Sequence, residues 1–365
     1  MNIHPDTPSV IVDTAVMKRN IAAFAKLAEL RKVALRPHAK THKIPEIAQL
    51  QLATGAVGVT VAKLSEAEVM ADHGIDDLFI AYPIVTDTKV ERAIKLGQRV
   101  NLMVGVDSLQ GALGLSAAAV RHGTTVKVRL EIDTGLGRTG VLYDEAVALA
   151  CRIVSLPGFK FCGIYTFRGN FMQGKPTLDI LRAGVEEGEL MVDLAERIRN
   201  AGVAVRDVSV GSTPTAASAA TVEGVTEIRP GTYVFQDRMQ AALGVCRLED
   251  CAATVRVTVV SRPAPDRMII DGGSKTFATD VLPGVQPLNL QGFGHLREAP
   301  HAILERLSEE HGIVRISAFD RFEAGDTLHV IPNHICSTIN LHNRIYVQER
   351  GTYRSVTVSG RGMVT

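Results

Sequence analysis

The sequence predicts an α/β protein in which an N-terminal TIM-like (β/α)8 barrel is followed by a mainly β C-terminal domain. Three observations support this fold class. Eight short apolar, β-branched runs alternate with helical patterns over the first two-thirds of the chain. From about Ala252 the pattern changes to strands separated by Gly, Pro and Asp turns. The 365 residues exceed one ordinary domain of about 100–200 residues, but they suit a large barrel with one further domain.

The barrel strands are predicted from the eight apolar runs, at residues 33–35, 57–61, 78–81, 100–104, 126–132, 161–165, 208–210 and 226–228. Helical spacing places Met17, Ile21, Phe24 and Ala28 on one face, and acidic residues within 65–68 mark the start of another helix. Eight such β–α units favour a closed parallel barrel. The periodicity alone leaves an open doubly wound sheet as the alternative.

The C-terminal domain reads as strands at 254–260, 268–270, 314–317, 327–331, 345–347 and 355–358, with one helix at 303–311. We predict domain limits of 8–245 for the barrel and 246–365 for the β domain. Residues 1–10 could join the β domain, since the apolar stretch at 9–12 precedes the first helix and suits either domain.

Composition excludes several classes of function. Forty Lys and Arg against 39 Asp and Glu leave a formal charge of +1, so a nucleic-acid partner is not expected. No apolar run approaches the roughly 18–20 residues of a membrane span, and the first five residues are too polar for a signal peptide. The five cysteines are scattered and odd in number, unlike a disulfide framework. We therefore expect a cytoplasmic protein without a membrane partner.

The first strand is followed by a basic segment, residues 36–43, that contains Lys40, Lys43, His38 and His42. Barrel enzymes carry their chemistry at the carboxyl ends of the strands. A lysine held among other cations and partly desolvated has a lowered pKa and becomes a usable nucleophile or base. The alternative is a solvated basic loop.

Three further strand ends carry residues suited to an anionic ligand. Residues 131–140 combine three glycines with Arg138, and residues 211–215 and 229–233 offer small hydroxyls and glycine. Loops after the last two strands of a barrel often bind phosphate. Each segment alone also fits an ordinary turn, so their shared position is the informative observation.

In the β domain, His334 and Cys336 are two possible metal ligands two residues apart. On an extended strand they would point to the same side, and an imidazole with a thiolate suits zinc or a related divalent ion. Two protein ligands are too few for a closed structural site, so a bound metal would keep open positions for chemistry. The alternative is a half-buried strand without metal.

Together these segments resemble the fold-type III pyridoxal-phosphate enzymes of the alanine racemase-like superfamily, in the D-serine dehydratase / D-threonine aldolase branch. The resemblance rests on residues 36–43, 131–140, 211–215, 229–233 and 332–336, in family order across nearly the whole chain. It implies an alanine racemase-like fold and a homodimer. It also implies two cofactors, pyridoxal 5'-phosphate and a divalent metal, with Zn or Mn expected.

The resemblance also implies roles for individual residues. Lys40 corresponds to the Schiff-base lysine, Arg138 to the arginine near the cofactor's ring oxygen, and His334 with Cys336 to the metal ligands. The remaining cofactor contacts are expected from a set of residues at strand ends, namely Tyr165, Ser212, Thr213, Gly231, Thr232 and Tyr233.

The expected substrate is a small D-3-hydroxy amino acid, and the expected reaction is dehydration to a keto acid and ammonia, as in D-serine or D-3-hydroxyaspartate dehydratases. Retro-aldol cleavage to glycine and an aldehyde, as in D-threonine aldolases, is the alternative. Cys336 as second ligand and Arg168, at a position where many aldolases carry a histidine base, favour dehydration.

Three other functions were weighed. An amino-acid racemase would need a second base such as Tyr346 or Tyr353 and has no use for a metal pair. A non-catalytic pyridoxal-phosphate carrier would lack the β domain. A metal-only hydrolase would need histidine and aspartate ligands at the strand ends.

Overall fold

The structure is a computed structural model that describes residues 4–365. Up to residue 231 the elements are β1 (Ser9–Asp13), α1 (Thr14–Arg31), β2 (Ala34–Leu35), α2 (Pro45–Ala53), β3 (Val59–Val61), α3 (Leu64–Asp72), β4 (Asp77–Pro83), α4 (Asp87–Gly97), β5 (Asn101–Val106), α5 (Leu109–Arg121), β6 (Val126–Asp133), β7 (Val141–Leu142), α6 (Ala146–Val154), β8 (Phe159–Tyr165), β9 (Phe171–Met172), β10 (Lys175–Pro176), α7 (Ile180–Asn200), β11 (Asp207–Val210), α8 (Ala216–Ala219) and β12 (Glu227–Ile228).

The remaining elements are α9 (Arg238–Ala242), β13 (Ala253–Ala264), β14 (Arg267–Ile270), β15 (Gly294–Leu296), β16 (Ile303–Leu307), β17 (Gly312–Arg315), β18 (Thr327–Pro332), α10 (Ile335–Leu341), β19 (Arg344–Glu349) and β20 (Thr352–Thr357). Short 3-10 helices span Ala39–Thr41, Tyr143–Glu145, Thr232–Val234 and Leu248–Asp250.

Eight parallel strands form the predicted barrel, in the order β2-β12-β11-β8-β6-β5-β4-β3. The ends of this sheet meet through backbone hydrogen bonds, from Val57 N to Leu35 O at 2.9 Å and from Thr60 N to Pro37 O at 2.8 Å. A parallel bridge between His38 and Thr60 completes the closure. All eight predicted strands are observed, and the predicted fold class is confirmed.

Alternation along β6 shows why these residues form a barrel strand. Val128, Leu130 and Ile132 are buried in the main apolar cluster, which also contains residues of the surrounding helices. Because successive side chains of a strand point to opposite faces, Arg129 and Glu131 point into the barrel. The barrel interior is therefore partly charged, whereas its outer face is apolar.

Two arginines hold the inner charges together. Arg129 donates to Asp207 on β11 at 2.9 Å and to Glu227 on β12. Arg36, just after β2, donates to Glu227 at 2.8 Å and to Asp77 on β4. We define these five residues as the barrel ion network, and it ties five strand regions to one another.

The described chain divides into two compact units. The first comprises residues 23–40, 44–231 and 363–365 and contains the barrel; the second comprises residues 4–22, 41–43 and 232–362. In the second unit β1 lies between β13, antiparallel, and β19, parallel. The stretch at 9–12 thus belongs to the β sheet. The limits 8–245 and 246–365 stay a proposal for the two domains, and residues 1–3 lie outside the described residues.

The prediction of a helix at 303–311 is wrong. Residues Ile303–Leu307 form β16, which pairs antiparallel with β17. Pairing with a neighbouring strand outweighs the helix propensity of this short Glu- and Leu-containing segment. Among residues 4–365, no helix has both the length and the apolar character needed to cross a bilayer.

Replacing Arg129 by methionine should lower the free energy of unfolding by about 3–5 kcal/mol, because Glu227 and Asp207 stay buried with one cationic partner fewer. The measurement is urea denaturation followed by circular dichroism. Arg99→Met is the control, since Arg99 pairs with Asp72 at 2.6 Å on the surface and should cost less than about 1 kcal/mol. Equal, small losses in both variants would contradict a stabilising role for the network.

Candidate active site

Lys40 lies in the 3-10 helix that follows the first barrel strand, and its side chain is half-buried. Its Nζ lies 5.0 Å from the centre of the Phe167 ring. The loop is held to the end of β12, because His38 N donates to Pro230 O at 2.9 Å. The predicted lysine therefore lies beside Phe167, in a loop that is held to the end of another barrel strand rather than wholly solvated.

Arg138 meets the same aromatic ring, with its guanidinium carbon 5.0 Å from the Phe167 centroid. Its loop is shaped by Asp133, whose Oδ1 accepts from Gly135 N at 2.9 Å and from Gly137 N at 3.1 Å. Gly140 has φ +110°, and a Cβ there would lie 2.5 Å from Asp133 N, so only glycine fits. Phe167 thus brings the two predicted cations together, and sequence analysis missed it.

Tyr165 lies wholly inside the barrel. Its hydroxyl donates to Glu131 at 3.0 Å, and Thr139 donates to the same carboxylate at 2.9 Å. Burial raises the pKa of both Glu131 and Tyr165. Glu131 was not predicted as part of the site, although it lies in the segment that was singled out. A contact of Tyr165 with cofactor stays a prediction.

Ser212, Thr213 and Gly231 lie together at the ends of β11 and β12. Ser212 and Thr213 are buried, and Gly231 N donates to Thr213 Oγ1 at 3.2 Å. Backbone N–H groups and small hydroxyls at such strand ends are suited to an anion. The structure therefore brings these three predicted residues together within the barrel unit.

His334 and Cys336 lie at the start of a helix, so their predicted placement on an extended strand is wrong. Strand β18 ends at Pro332, and His334 is the N-terminal cap residue of α10. The chain turns at this point because the backbone N–H of Ile335, the first of α10, donates to Asp237 Oδ2 at 3.0 Å. This hydrogen bond ties the start of α10 to the segment before α9.

Each metal-ligand candidate has polar neighbours within its own unit. His334 Nδ1 lies 2.7 Å from Asp280 Oδ2. Cys336 Sγ lies 3.1 Å from Thr41 Oγ1 and 3.5 Å from Thr232 Oγ1. Thr232 and the wholly buried Tyr233 belong to the 3-10 helix that follows Gly231 in the chain.

Charge favours the thiolate form of Cys336. Burial raises its pKa, but the neighbouring His334 and the hydroxyls of Thr232 and Thr41 outweigh burial, and the pKa is lowered. For His334, burial opposes the charged form, yet Cys336 and Asp280 raise its pKa well above the usual value. A thiolate is the form of cysteine that binds metal.

Asp237 holds the start of α10 in place, and sequence analysis missed it. Besides Ile335 N it accepts from Gln240 N at 2.9 Å, and the side chain is wholly buried. Burial raises its pKa to about 6. Its position before a short helix was the sole sequence signal, and its contact with α10 depends on the tertiary fold.

The residues fit the two expected cofactors. An amine and a guanidinium at one aromatic ring, with buried hydroxyls and backbone donors nearby in the same unit, suit a phosphorylated aldehyde. An imidazole and a thiolate suit a borderline-soft divalent metal. Within the described residues no third His, Cys, Asp or Glu completes a metal cluster, so such an ion would keep open coordination positions.

Comparison with known proteins places this arrangement in a family. The alanine racemase N-terminal domain model matches residues 12–239, and a serine dehydratase domain model matches residues 252–348. A D-threonine aldolase of Arthrobacter sp. is 32% identical over 98% of this chain and 93% of that protein. The D-threo-3-hydroxyaspartate dehydratase of Delftia sp. strain HT23 is 35% identical over 91% of each.

Solved structures agree. The crystal structure of D-threonine aldolase from Filomicrobium marinum has a TM-score of 0.88 at 29% identity, covering 99% of this chain and 97% of that one. The Delftia dehydratase has a TM-score of 0.88 at 32% identity, with 97% of both chains covered. A Clostridium difficile alanine racemase, at 14% identity and a TM-score of 0.72, shares the fold, covering 98% of this chain and all of that one.

Since one family model covers more than half of the chain and relatives align along nearly its whole length, this protein belongs to the alanine racemase-like, fold-type III pyridoxal-phosphate enzymes, in the branch of lyases that contains D-serine dehydratases and D-threonine aldolases.

Proposed function

We propose that this protein is a pyridoxal-phosphate- and divalent-metal-dependent lyase that dehydrates a small D-3-hydroxy amino acid to a keto acid and ammonia. The observation that carries the proposal concerns Lys40 and Cys336. Thr41, the residue directly after Lys40, places its hydroxyl 3.1 Å from Cys336 Sγ. The expected cofactor lysine thus adjoins, in sequence, a residue that touches an expected metal ligand.

The cofactor contacts are proposed on this chain as follows. Lys40 would hold the cofactor, and Arg138 would be a further contact. The remaining contacts, including those to the phosphate, come from Tyr165, Ser212, Thr213, Gly231, Thr232 and Tyr233. When bound, pyridoxal phosphate serves as an electron sink for charge developed at the substrate Cα. Lys40 Nζ would serve as the base for the substrate's Cα proton.

We assign the metal to His334 and Cys336. Because Asp280 engages His334 Nδ1 and fixes the orientation of the ring, the other ring nitrogen is the one that would bind metal. A divalent ion, zinc or manganese, supplies Lewis-acid chemistry to the substrate's β-hydroxyl. A solved structure of a cysteine-to-alanine variant of a D-threo-3-hydroxyaspartate dehydratase, 31% identical to this chain, is a metal-free form, and this supports our choice of a cysteine as metal ligand.

Aldol cleavage is the second candidate, and the similarity to D-threonine aldolases favours it. It requires a base for the β-hydroxyl proton. Arg168 is buried and paired with Glu186, and a guanidinium is not deprotonated in proteins. Position 168 therefore provides no such base, which supports dehydration. We also propose that the enzyme works as a homodimer in the cytoplasm, as the family resemblance implies.

Lys40→Arg should abolish the visible absorbance of the bound cofactor, because arginine keeps the charge but forms no covalent link to the aldehyde. Absorption spectra of protein reconstituted with pyridoxal phosphate measure this. Lys43→Arg is the matched control and should keep the absorbance. A spectrum lost in the Lys43 variant and kept in the Lys40 variant would reassign the lysine.

Asp280→Asn should weaken zinc or manganese binding by about 10–100-fold, because the amide holds His334 less firmly than the carboxylate does. Isothermal titration calorimetry on cofactor-loaded protein measures the affinity. Glu298→Gln is the control, since Glu298 makes a similar 2.8 Å contact with His329 outside the site. Equal metal affinity in both variants would contradict the assigned role of Asp280.

Product analysis distinguishes the two reactions. With D-serine, D-threonine and D-3-hydroxyaspartate as substrates, we expect keto acid and ammonia in equal amounts, and both should disappear on chelation because the β-hydroxyl then lacks its Lewis acid. Keto acid and ammonia are assayed in parallel with glycine. Glycine as the main product would establish the aldolase instead, and full activity in chelator would exclude the metal.

A further inference from the structure

Helix α7 packs closely against residues 215–222, which comprise the end of the turn after β11 and the short helix α8. A Cβ at Gly184 would lie 2.1 Å from Ser218 Oγ and 2.6 Å from Thr215 O, and a Cβ at Gly188 would lie 2.8 Å from Val222. These glycines are four residues apart and therefore share one helix face. Close packing at both positions allows the side chain of Glu187, which lies between them, to reach the turn.

Glu187 is connected to the turn by a chain of hydrogen bonds. Thr215 Oγ1 donates to Glu187 Oε2 at 3.1 Å. The same Thr215 oxygen accepts from Ser212 N at 3.1 Å and lies 3.0 Å from Ser212 Oγ. Because a hydroxyl has one proton, donation to the carboxylate leaves Thr215 with lone pairs for both Ser212 groups. The carboxylate thus determines which group donates and which accepts in each of these hydrogen bonds.

Burying this carboxylate is costly, which argues that it has a specific role. Glu187 is wholly inaccessible to solvent, and burial raises its pKa to about 7, although Thr215, Arg229, Gly211 N and Arg168 oppose that rise. Its Oε1 has no hydrogen-bond partner among the described residues. An apolar side chain here would pack at a lower cost in stability.

We propose that Glu187 is a positioning residue for the turn at residues 211–215: through Thr215 it fixes Ser212 in the orientation that receives the phosphate group of the cofactor. The inference rests on the proposed function, which places that phosphate at Ser212 and Thr213. Glu187 itself does not touch the ligand. Its effect is therefore specific to ligands that carry the phosphate.

The test compares pyridoxal phosphate with pyridoxal, which lacks the phosphate, by measuring dissociation constants from cofactor absorbance in the wild type and in Glu187→Ala, Glu187→Gln and Thr215→Val. Glu187→Ala and Thr215→Val should weaken the binding of pyridoxal phosphate by about 10-fold or more. They should weaken the binding of pyridoxal by less than about 2-fold. Glu187→Gln should fall between, because its amide oxygen still accepts from Thr215. Glu189→Ala is the control, because Glu189 is exposed on the same helix, and it should change neither dissociation constant.

The outcomes separate this inference from the proposed function. If the wild type binds pyridoxal as tightly as its phosphate ester, the phosphate site itself is wrong, and the role of Glu187 with it. Suppose instead that the wild type prefers the phosphate ester. If the variants then lose affinity for both compounds equally, or lose affinity for neither, only the positioning role of Glu187 is overturned. Glu187→Gln keeps the shape of the side chain, so a folding defect in Glu187→Ala does not prevent the comparison.

Discussion

The barrel ion network is the constraint on which the site depends. Burying Arg129 and Glu227 costs several kcal/mol per charge, and this cost is offset only where every partner is in place. Accordingly the pKa of Glu227 is far below its usual value, because Arg129 and Arg36 outweigh the effect of burial. Lys40 follows Arg36 by four residues, and Gly231 follows Glu227 by four. Charge pairing inside the barrel therefore holds the strand ends that carry the proposed cofactor residues.

The architecture was predictable from sequence because each barrel strand is an apolar, β-branched run whose outer face is buried by helices. The eight runs therefore carry a local signal that tertiary contacts reinforce. Two local predictions were wrong because contacts with distant parts of the chain decide the structure there. Residues 303–311 lose their helical character to pairing with β17, and the chain turns into α10 after Pro332 because Asp237 accepts from Ile335 N. No local pattern encodes either contact.

The site was predictable to the extent that parallel strands bring their carboxyl ends to one edge of a barrel. From the sequence, that rule predicts that Lys40, Arg138 and Ser212 lie in one site. It could not find Phe167 or Asp237. Phe167 meets Lys40 and Arg138 across the barrel mouth, and Asp237 reaches a residue 98 positions away. Such partners have ordinary residue types and irregular spacing, so only the folded chain identifies them.

In the proposed function, dehydration and aldol cleavage differ in which proton a base removes, since both would use the same amine and the same metal. Dehydration needs a base at Cα and a metal that accepts the departing oxygen. In the proposed function Lys40 would meet the first requirement, and a divalent ion held by His334 and Cys336 would meet the second. Cleavage needs a base at the β-hydroxyl, and Arg168, locked to Glu186, cannot serve. The protonation chemistry of this chain therefore favours loss of the oxygen over cleavage of the carbon–carbon bond.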